Sequence, residues 1–342
     1  TFYDEYEDLN MEQLYEMVDK INCDDLLKIN DVKKIVSSMI MKRKKLFKLL
    51  YVPNNIDSLK FRCSFLFAGD FSFERIKKSS DLINKEQNKY YFVSDDSTPI
   101  KNLKFLSELI VLPKGIFSYF NSLQTVDFGK ETKLFYIPKN AFSNCTNLQG
   151  IVIPTTCIFI EDEAFKDCIS LKSINFGRLD NSDEKDHKLL SIGNKAFYNC
   201  SSLRKIVLPP SLVRIESSAF MNCSKLKSVE FGTKFLSDEN KILISIEKEK
   251  LQYIGKNAFN NCTSLVSFRI PKNCSYVGES AFMNCTSLNK VSFKCTKLKE
   301  FNDRIFCNCS SLETIRVVGL FYEDKSENKP FVIKYEAFLN CT

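Results

Sequence analysis

The 342-residue sequence has no tryptophan and a single histidine, His187. That histidine lies in the polar stretch LDNSDEKDHK, so a catalytic dyad would have to position its base on a solvated loop. Neither a GxxxxGK[ST] phosphate-binding loop nor a GxGxxG dinucleotide motif is present. Its apolar runs are too short to cross a bilayer, so we predict no transmembrane segment. We therefore expect neither an enzyme nor a cofactor-binding protein.

The composition is that of a globular protein, with 44% hydrophobic residues, 27% charged residues and 30 phenylalanines. The net charge of +7 is mild for this length and suits an acidic partner without requiring one. The sequence begins with Thr1 and ends within a repeat, so we interpret the chain as a fragment, truncated at its C-terminus.

The main positive feature is a Phe-x-x-Cys pattern that occurs eight times. Three of the intervals, such as the one from Phe197 to Phe220, are 23 residues long. A recurring period of this length is typical of stacked units that are each too small to bury their own apolar face. The phenylalanines are Phe142, Phe165, Phe197, Phe220, Phe259, Phe282, Phe306 and Phe338.

The unit from residue 196 to residue 218 shows how one coil should fold. Ile206 and Leu208 alternate as in a short strand, and Pro209 ends it. Leu212 and Ile215 mark a second extended segment, and a tight or single-turn helical corner follows. Each coil would bury about six apolar side chains at roughly 1.5–3 kcal/mol each, less than the entropy lost on ordering its backbone. Coils must therefore stack.

The pattern A-F-x-x-C-[ST]-x-L-x-x-I-x-[IL]-P-x-x-[VL]-x-x-I resembles the BspA-like leucine-rich repeat, a class expanded in some protists. The resemblance covers residues 120–342 and implies an α/β repeat fold, a right-handed solenoid with a parallel strand stack on one face. Members of the family are adhesins, surface antigens or intracellular scaffolds and are not known as enzymes, so the resemblance supplies no catalytic residues.

We divide the chain into an N-terminal region, 1–100, and a solenoid, 101–342. Apolar residues at helical spacing predict a helix near residues 11–21 and a longer one over 31–50. The region is expected to be a mainly helical cap, with possible degenerate coils in residues 51–100; an independent interaction domain is the alternative. We interpret its basic run at residues 42–45 as the solvated face of a helix rather than a membrane or nuclear signal.

The 14 cysteines resemble a disulfide framework, but eight of them share one repeat position. We favour buried, reduced thiols over a bridged ladder, and we expect Cys307, which is off the pattern, to be the most exposed. Cys307 and Cys309 have no partner pair, so no metal site is predicted. The cysteines are flanked by Asn-Cys-Ser/Thr sequences, which are either glycosylation acceptors or corner residues; we favour corners. These points slightly favour an intracellular location, whereas the resemblance points to the cell surface.

Two surfaces are candidates for binding a protein partner, whose expected chemistry is acidic. The strand face carries a basic excess but lacks the exposed aromatics that nucleic-acid binding requires. Its candidate residues are Lys172, Arg204, Lys205, Lys227, Arg269, Lys290 and Arg316. The second surface is an edge with insertions at residues 178–188, 233–250 and 320–329, expected at every second coil, where Phe321 and Tyr322 are the strongest candidates.

The function that we predict is a non-enzymatic protein-interaction scaffold or assembly component, and the alternative is a cell-surface adhesin or antigen. The sequence makes no prediction of the oligomeric state.

Overall fold

The computed structural model describes most of the chain from residue 100 onward and four short segments before it. The described ranges are 49–51, 58–61, 74–76, 91–93, 100–105, 112, 114–129, 132–177, 187–236, 242–245, 249–293, 297–317 and 332–341. The two predicted N-terminal helices, at 11–21 and 31–50, and the basic run at 42–45 lie outside the described residues, except for the last two positions of the longer helix.

The main element is a ten-stranded parallel sheet that runs the length of the solenoid. Each coil adds one strand beside the preceding one, with equivalent repeat positions in register, as in Ile174 opposite Ile206. In spatial order the strands are β2 (Ser58–Phe61), β5 (Asn102–Phe105), β6 (Thr125–Asp127), β8 (Gly150–Ile153), β10 (Ser173–Phe176), β12 (Lys205–Leu208), β14 (Ser228–Phe231), β18 (Ser267–Ile270), β20 (Lys290–Phe293) and β22 (Thr314–Val317).

A second parallel sheet is built from the two-residue strands in the other half of each coil. Its order is β19 (Tyr276–Val277), β17 (Tyr253–Ile254), β13 (Arg214–Ile215), β11 (Ser191–Ile192), β9 (Phe159–Ile160) and β7 (Tyr136–Ile137). In the last coils the equivalent strands, β21 (Glu300–Phe301) and β23 (Val332–Ile333), form a separate parallel pair. The two sheets confirm the predicted solenoid with a parallel strand stack.

Two small sheets lie outside this pattern. The strands β1 (Leu49–Tyr51), β3 (Glu74–Ile76) and β4 (Tyr91–Val93) form a three-stranded parallel sheet in the N-terminal region. The strands β15 (Thr233–Leu236) and β16 (Ile242–Ser245) form an antiparallel hairpin within the longest insertion. The region before residue 100 also contributes β2 to the main sheet, where it pairs with β5.

The core between the two sheets consists of columns of equivalent side chains. The coil that begins at Ala196 contributes eight buried apolar residues, rather than about six, because both its Ala-Phe pair and its cysteine face inward. The phenylalanines of the repeat stack from Phe117 to Phe338 with ring centroids 5.2 to 5.5 Å apart. Contacts of this kind contribute about 0.5–1.5 kcal/mol each beyond the burial of apolar area.

The corner between the sheets is a pair of tight turns in which left-handed residues alternate with right-handed ones. In the coil of Phe220, Ser218 and Asn222 have φ values of 57° and 65°. Alternate amides donate to the next coil, as from Phe220 N to the Ala258 carbonyl at 2.8 Å, and those between them close the turns. The corner thus continues the hydrogen bonding between coils that the sheets provide elsewhere.

Candidate interaction surface

The outer face of the ten-stranded sheet is defined by the alternation along each strand. In β20, Val291 and Phe293 are buried in the core, whereas Lys290 is exposed and Ser292 partly exposed on the outer side. Because the strands are parallel and in register, each outward position forms a column that runs along the solenoid. Neighbouring side chains in a column stand about 4.8 Å apart.

Three exposed cations occupy one column in consecutive coils. Lys172, Arg204 and Lys227 each lie immediately before a strand, namely β10, β12 and β14. Backbone hydrogen bonds hold this register, such as that from Lys227 N to the Arg204 carbonyl at 2.8 Å. We call these three residues the basic column. The same position holds Gln124 and Gln149 in the preceding coils and Val266, Asn289 and Glu313 in the following ones.

Two of the predicted binding residues are already paired with carboxylates. Lys205 lies 2.6 Å from Glu230, which is two residues along from its direct register partner on the adjacent strand. The guanidinium of Arg269 binds both carboxylate oxygens of Glu249, and it lies 5.6 Å from the ring centroid of Phe231. Their charges are largely satisfied within the chain, so they offer less to a partner than the basic column does.

The structure separates the remaining candidates from the basic column. Lys290 and Arg316 are exposed on β20 and β22, beyond β18 from the last member of the column. Phe321 and Tyr322 lie outside the described residues. Of the nine predicted residues, the structure therefore brings together Lys172, Arg204, Lys205 and Lys227 on three adjacent strands.

The insertions leave the opposite end of the same strands. Gly177 and Gly232 follow β10 and β14, with positive φ values of 70° and 142°. The third insertion follows β22, which lies three strands beyond β14, so the expectation of an insertion at every second coil is wrong for the last one. The longest insertion contains the β15–β16 hairpin, and its end is held by the contact between Arg269 and Glu249.

The asparagines of the Asn-Cys-Ser/Thr sequences lie at the corner, in left-handed backbone. Their φ values range from 57° to 65° in the seven corner positions, as we predicted. Their side chains bond from coil to coil rather than only locally: the amide of Asn261 donates to Asn222 at 3.0 Å, and that of Asn340 to Asn308 at 2.7 Å. The corner asparagines are Asn144, Asn199, Asn222, Asn261, Asn284, Asn308 and Asn340.

The cysteines of the repeat have a structural explanation. Each thiol donates to the phenylalanine carbonyl of the preceding coil; from Cys168 to Phe142 the distance is 3.1 Å, and from Cys262 to Phe220 it is 3.3 Å. That carbonyl also accepts the amide of the cysteine in its own coil. All the described cysteines are free thiols. Burial raises the pKa of Cys223 to about 12, so these thiols are poor nucleophiles.

Cys307 corrects one expectation. Its side chain is 3% exposed, so it is not the most exposed thiol as we had predicted; Cys341, in the last described coil, is more exposed. Burial also raises the pKa of Cys307. The residue lies between Phe306 and Asn308 in the corner, where its carbonyl accepts the amide of Asn284.

Sequence reasoning missed a cluster on the second sheet. The guanidinium of Arg214 lies 4.0 Å from the ring centroid of Tyr253, and that ring stacks on Tyr276 at 4.9 Å. Arg214 also binds Glu216 at 2.6 Å. Burial, followed by the charge of Glu216, raises the pKa of Tyr253. The signal was available, because Arg214, Tyr253 and Tyr276 share one repeat position.

Within the described part of the chain, no group of three or more potential ligands could hold a metal ion. The described residues also contain no helix that is long and apolar enough to cross a membrane. His187 is half-buried just before Leu189, at the end of the first insertion.

The chain was compared with known proteins at the levels of sequence and structure. It has some similarity to solved leucine-rich repeat proteins: one from Bacteroides ovatus (20% identity, 86% of this chain and 84% of that one, TM-score 0.48), one from T. pallidum (24%, 56% and 76%, 0.43) and a leucine-rich cell surface protein from Faecalibacterium prausnitzii (17%, 86% and 79%, 0.41). A search of curated proteins gave no match.

The family model for the BspA type leucine-rich repeat region matches this sequence in six copies, over residues 64–186, 179–243 and 239–342. The match begins well before residue 120, where the resemblance becomes clear by eye. It therefore includes sequence that precedes the regular repeats. Because it covers most of the chain, and because the fold is the stack of parallel coils that such repeats require, the protein belongs to the BspA-type leucine-rich repeat family.

Proposed function

We propose that the chain is a non-enzymatic protein-interaction scaffold or assembly component, whose basic column binds an acidic segment of a partner protein. Membership of the family supports the general role, because leucine-rich repeats are generally non-enzymatic scaffolds. The observation that carries the specific proposal is the presence of three exposed cations in register on consecutive coils, Lys172, Arg204 and Lys227.

Like charges in one column destabilise a sheet, so their retention needs a reason. At about 4.8 Å, two parallel cationic side chains repel by roughly 0.9 kcal/mol even in bulk water. Elsewhere the solenoid pairs opposite charges between coils, as Lys104 with Asp127 at 3.3 Å and Lys256 with Glu279 at 2.8 Å. Among the described residues, none makes a salt bridge with any member of the basic column. Binding of carboxylates would relieve this repulsion.

The test is capture of native partners by the full chain, quantified by mass spectrometry, with the triple variant Lys172→Glu, Arg204→Glu and Lys227→Glu beside the wild type. The control triple, Lys139→Glu, Lys195→Glu and Lys272→Glu, has the same net charge, and its three exposed positions lie off the strand face. Glutamate is tolerated at the left-handed position of Lys195, since Glu163 and Glu336 occupy its equivalents.

We expect the basic-column variant to lose at least tenfold of the captured partner, while the control retains it. The capture should also weaken as salt rises from 50 to 300 mM, because exposed charges are screened. Equal loss in both triple variants, or equal retention, would show that the basic column does not bind the partner.

The second candidate is a cell-surface adhesin or antigen, which the Asn-Cys-Ser/Thr sequences favour if the chain enters a secretory pathway. Against it, the corner asparagine amides are used as donors in the ladder, as in Asn308 to Asn284 at 2.8 Å. Intact mass with and without reductant and glycosidase separates the two. Free thiols with no glycan support the scaffold, whereas disulfides or sugars support the surface protein.

A further inference from the structure

A patch of apolar side chains on the outer side of the second sheet is buried. The solvent-exposed fraction of Phe159 is 1%, although its position in the coil is equivalent to that of Tyr276, which is 39% exposed. The patch spans β7, β9, β11 and β13, with two outward residues on each coil. Its apolar members are Phe135, Tyr136, Ile158, Phe159, Leu190 and Val213.

These side chains do not belong to the core between the two sheets. In the coil of β7, Leu134 and Ile137 are core residues, whereas Phe135 and Tyr136, which lie between them in the sequence, are not part of that cluster. The rings of Phe135 and Tyr136 contact each other at 5.3 Å. The same division separates Cys157 and Ile160 from the residues between them. Burial of the patch therefore requires a cover on its outer side.

The composition of the patch shows where the cover ends. Tyr253 is partly exposed and Ser275 is exposed in the following coils. The hydroxyl of Ser191 is buried and has no hydrogen-bond partner, as is expected under an apolar cover rather than under solvent or a polar loop. The cover thus lies on four coils and stops near β17.

Its dimensions fit a short helix. Four strands at about 4.8 Å spacing span about 14 Å, which a helix with a rise of about 1.5 Å per residue covers in about ten residues. The predicted helix at residues 11–21 has this length, and its apolar positions fall on one side. Those positions are Met11, Leu14, Met17, Val18 and Ile21.

We propose that the outer face of the second sheet, from β7 to β13, is the docking site of the amphipathic segment 11–21 of the same chain. The burial occurs within a single chain, so no second copy is required to explain it. The N-terminal region would then cover the side of the solenoid in addition to any role as a cap at the end of the stack. It would leave the outer face of the ten-stranded sheet free for a partner.

The test uses the full chain with a photoreactive benzophenone amino acid in place of Phe159, and the same amino acid in place of Tyr276 as the control. After irradiation, cross-linked peptides are identified by mass spectrometry. We expect the probe at position 159 to link to residues 11–21 of the same molecule and the probe at 276 not to do so. Links from position 159 to residues 178–188, or to a second molecule, would overturn the proposal.

A second measurement protects the test against a probe that disturbs a buried site. The double variant Leu14→Asp and Ile21→Asp should release the segment and increase binding of an apolar dye severalfold, because the patch becomes exposed. Its matched control, Gln13→Asp and Lys20→Asp, changes the opposite side of the predicted helix and should leave dye binding unchanged. Similar dye binding by both double variants would contradict docking through this apolar side.

Discussion

The buried thiols of the repeat predict a sharp loss of stability at alkaline pH. Seven described cysteines are fully enclosed, and burial raises the pKa of each, as with Cys223, whose pKa moves from 9.0 to about 12. The other six are Cys145, Cys157, Cys168, Cys200, Cys262 and Cys285. Below pH 9 these thiols are protonated in both the folded and the unfolded chain, so they do not make stability depend on pH.

Above pH 9 the unfolded chain releases these protons while the folded chain retains them. Stability then falls as pH rises, by about 1.4 kcal/mol per pH unit for each thiol until its folded-state pKa is reached. Seven thiols together give a slope on the order of 10 kcal/mol per pH unit. A domain that is stable by about 5–15 kcal/mol would therefore unfold with a midpoint between about pH 9.5 and 10.5.

The assay is a pH titration in a phosphine reductant, followed by circular dichroism and by thiolate absorbance at 240 nm. The two signals should change together, because the thiols ionise only when the coils open. The variant Cys200→Ala should be less stable at pH 8 but should show a slope lower by about one seventh. Thiolate absorbance that rises near pH 9 in a folded protein, or a chain still folded at pH 11.5, would refute the reasoning.

Three further predictions concern the columns of the solenoid. Phe220→Ala removes a ring that stacks on neighbours at 5.3 Å on both sides, so thermal denaturation should show a loss of about 3–5 kcal/mol. Asn261→Gly keeps access to the φ of 60° and loses only the amide bonds, so in urea titration it should be about 1–2 kcal/mol more stable than Asn261→Val. Gly278→Ala places a methyl group 2.4 Å from the Lys256 amide nitrogen and should cost about 1–3 kcal/mol, visible as a lower Tm; a neutral effect would mean that the coils can shift apart there.

The repeat unit was sufficient to predict the core and the register. Once the 23-residue period is known, Ile206, Leu208 and Ile215 must face inward, and the structure places all three in the core. The corner was harder to predict, because nothing in the identity of Ser218 or Lys195 requires positive φ. There the backbone bonds between coils override local preference, and only the asparagines carried a signal.

The surface was predicted less well because pairing depends on geometry. Arg269 had the same sequence signal as Arg204, yet it binds Glu249 of an insertion whose path the repeat does not determine. The error on Cys307 has the same origin, since a residue outside the repeat pattern can still be enclosed when its corner is compact. The position of Lys205 beside Glu230 could have been found, because cross-strand diagonals follow from the register.

The two surfaces that the sequence proposed lie at opposite ends of the same strands, so one partner does not engage both through a narrow contact. Lys172 precedes β10 and Gly177 follows it, and Lys227 and Gly232 bracket β14 in the same way. Five residues of extended chain span about 16 Å. A partner bound through an extended acidic segment along the basic column would run parallel to the solenoid axis and would not reach the hairpin. Shortening the β15–β16 hairpin should therefore leave capture by the basic column intact, and loss of capture would move the contact to the insertion edge.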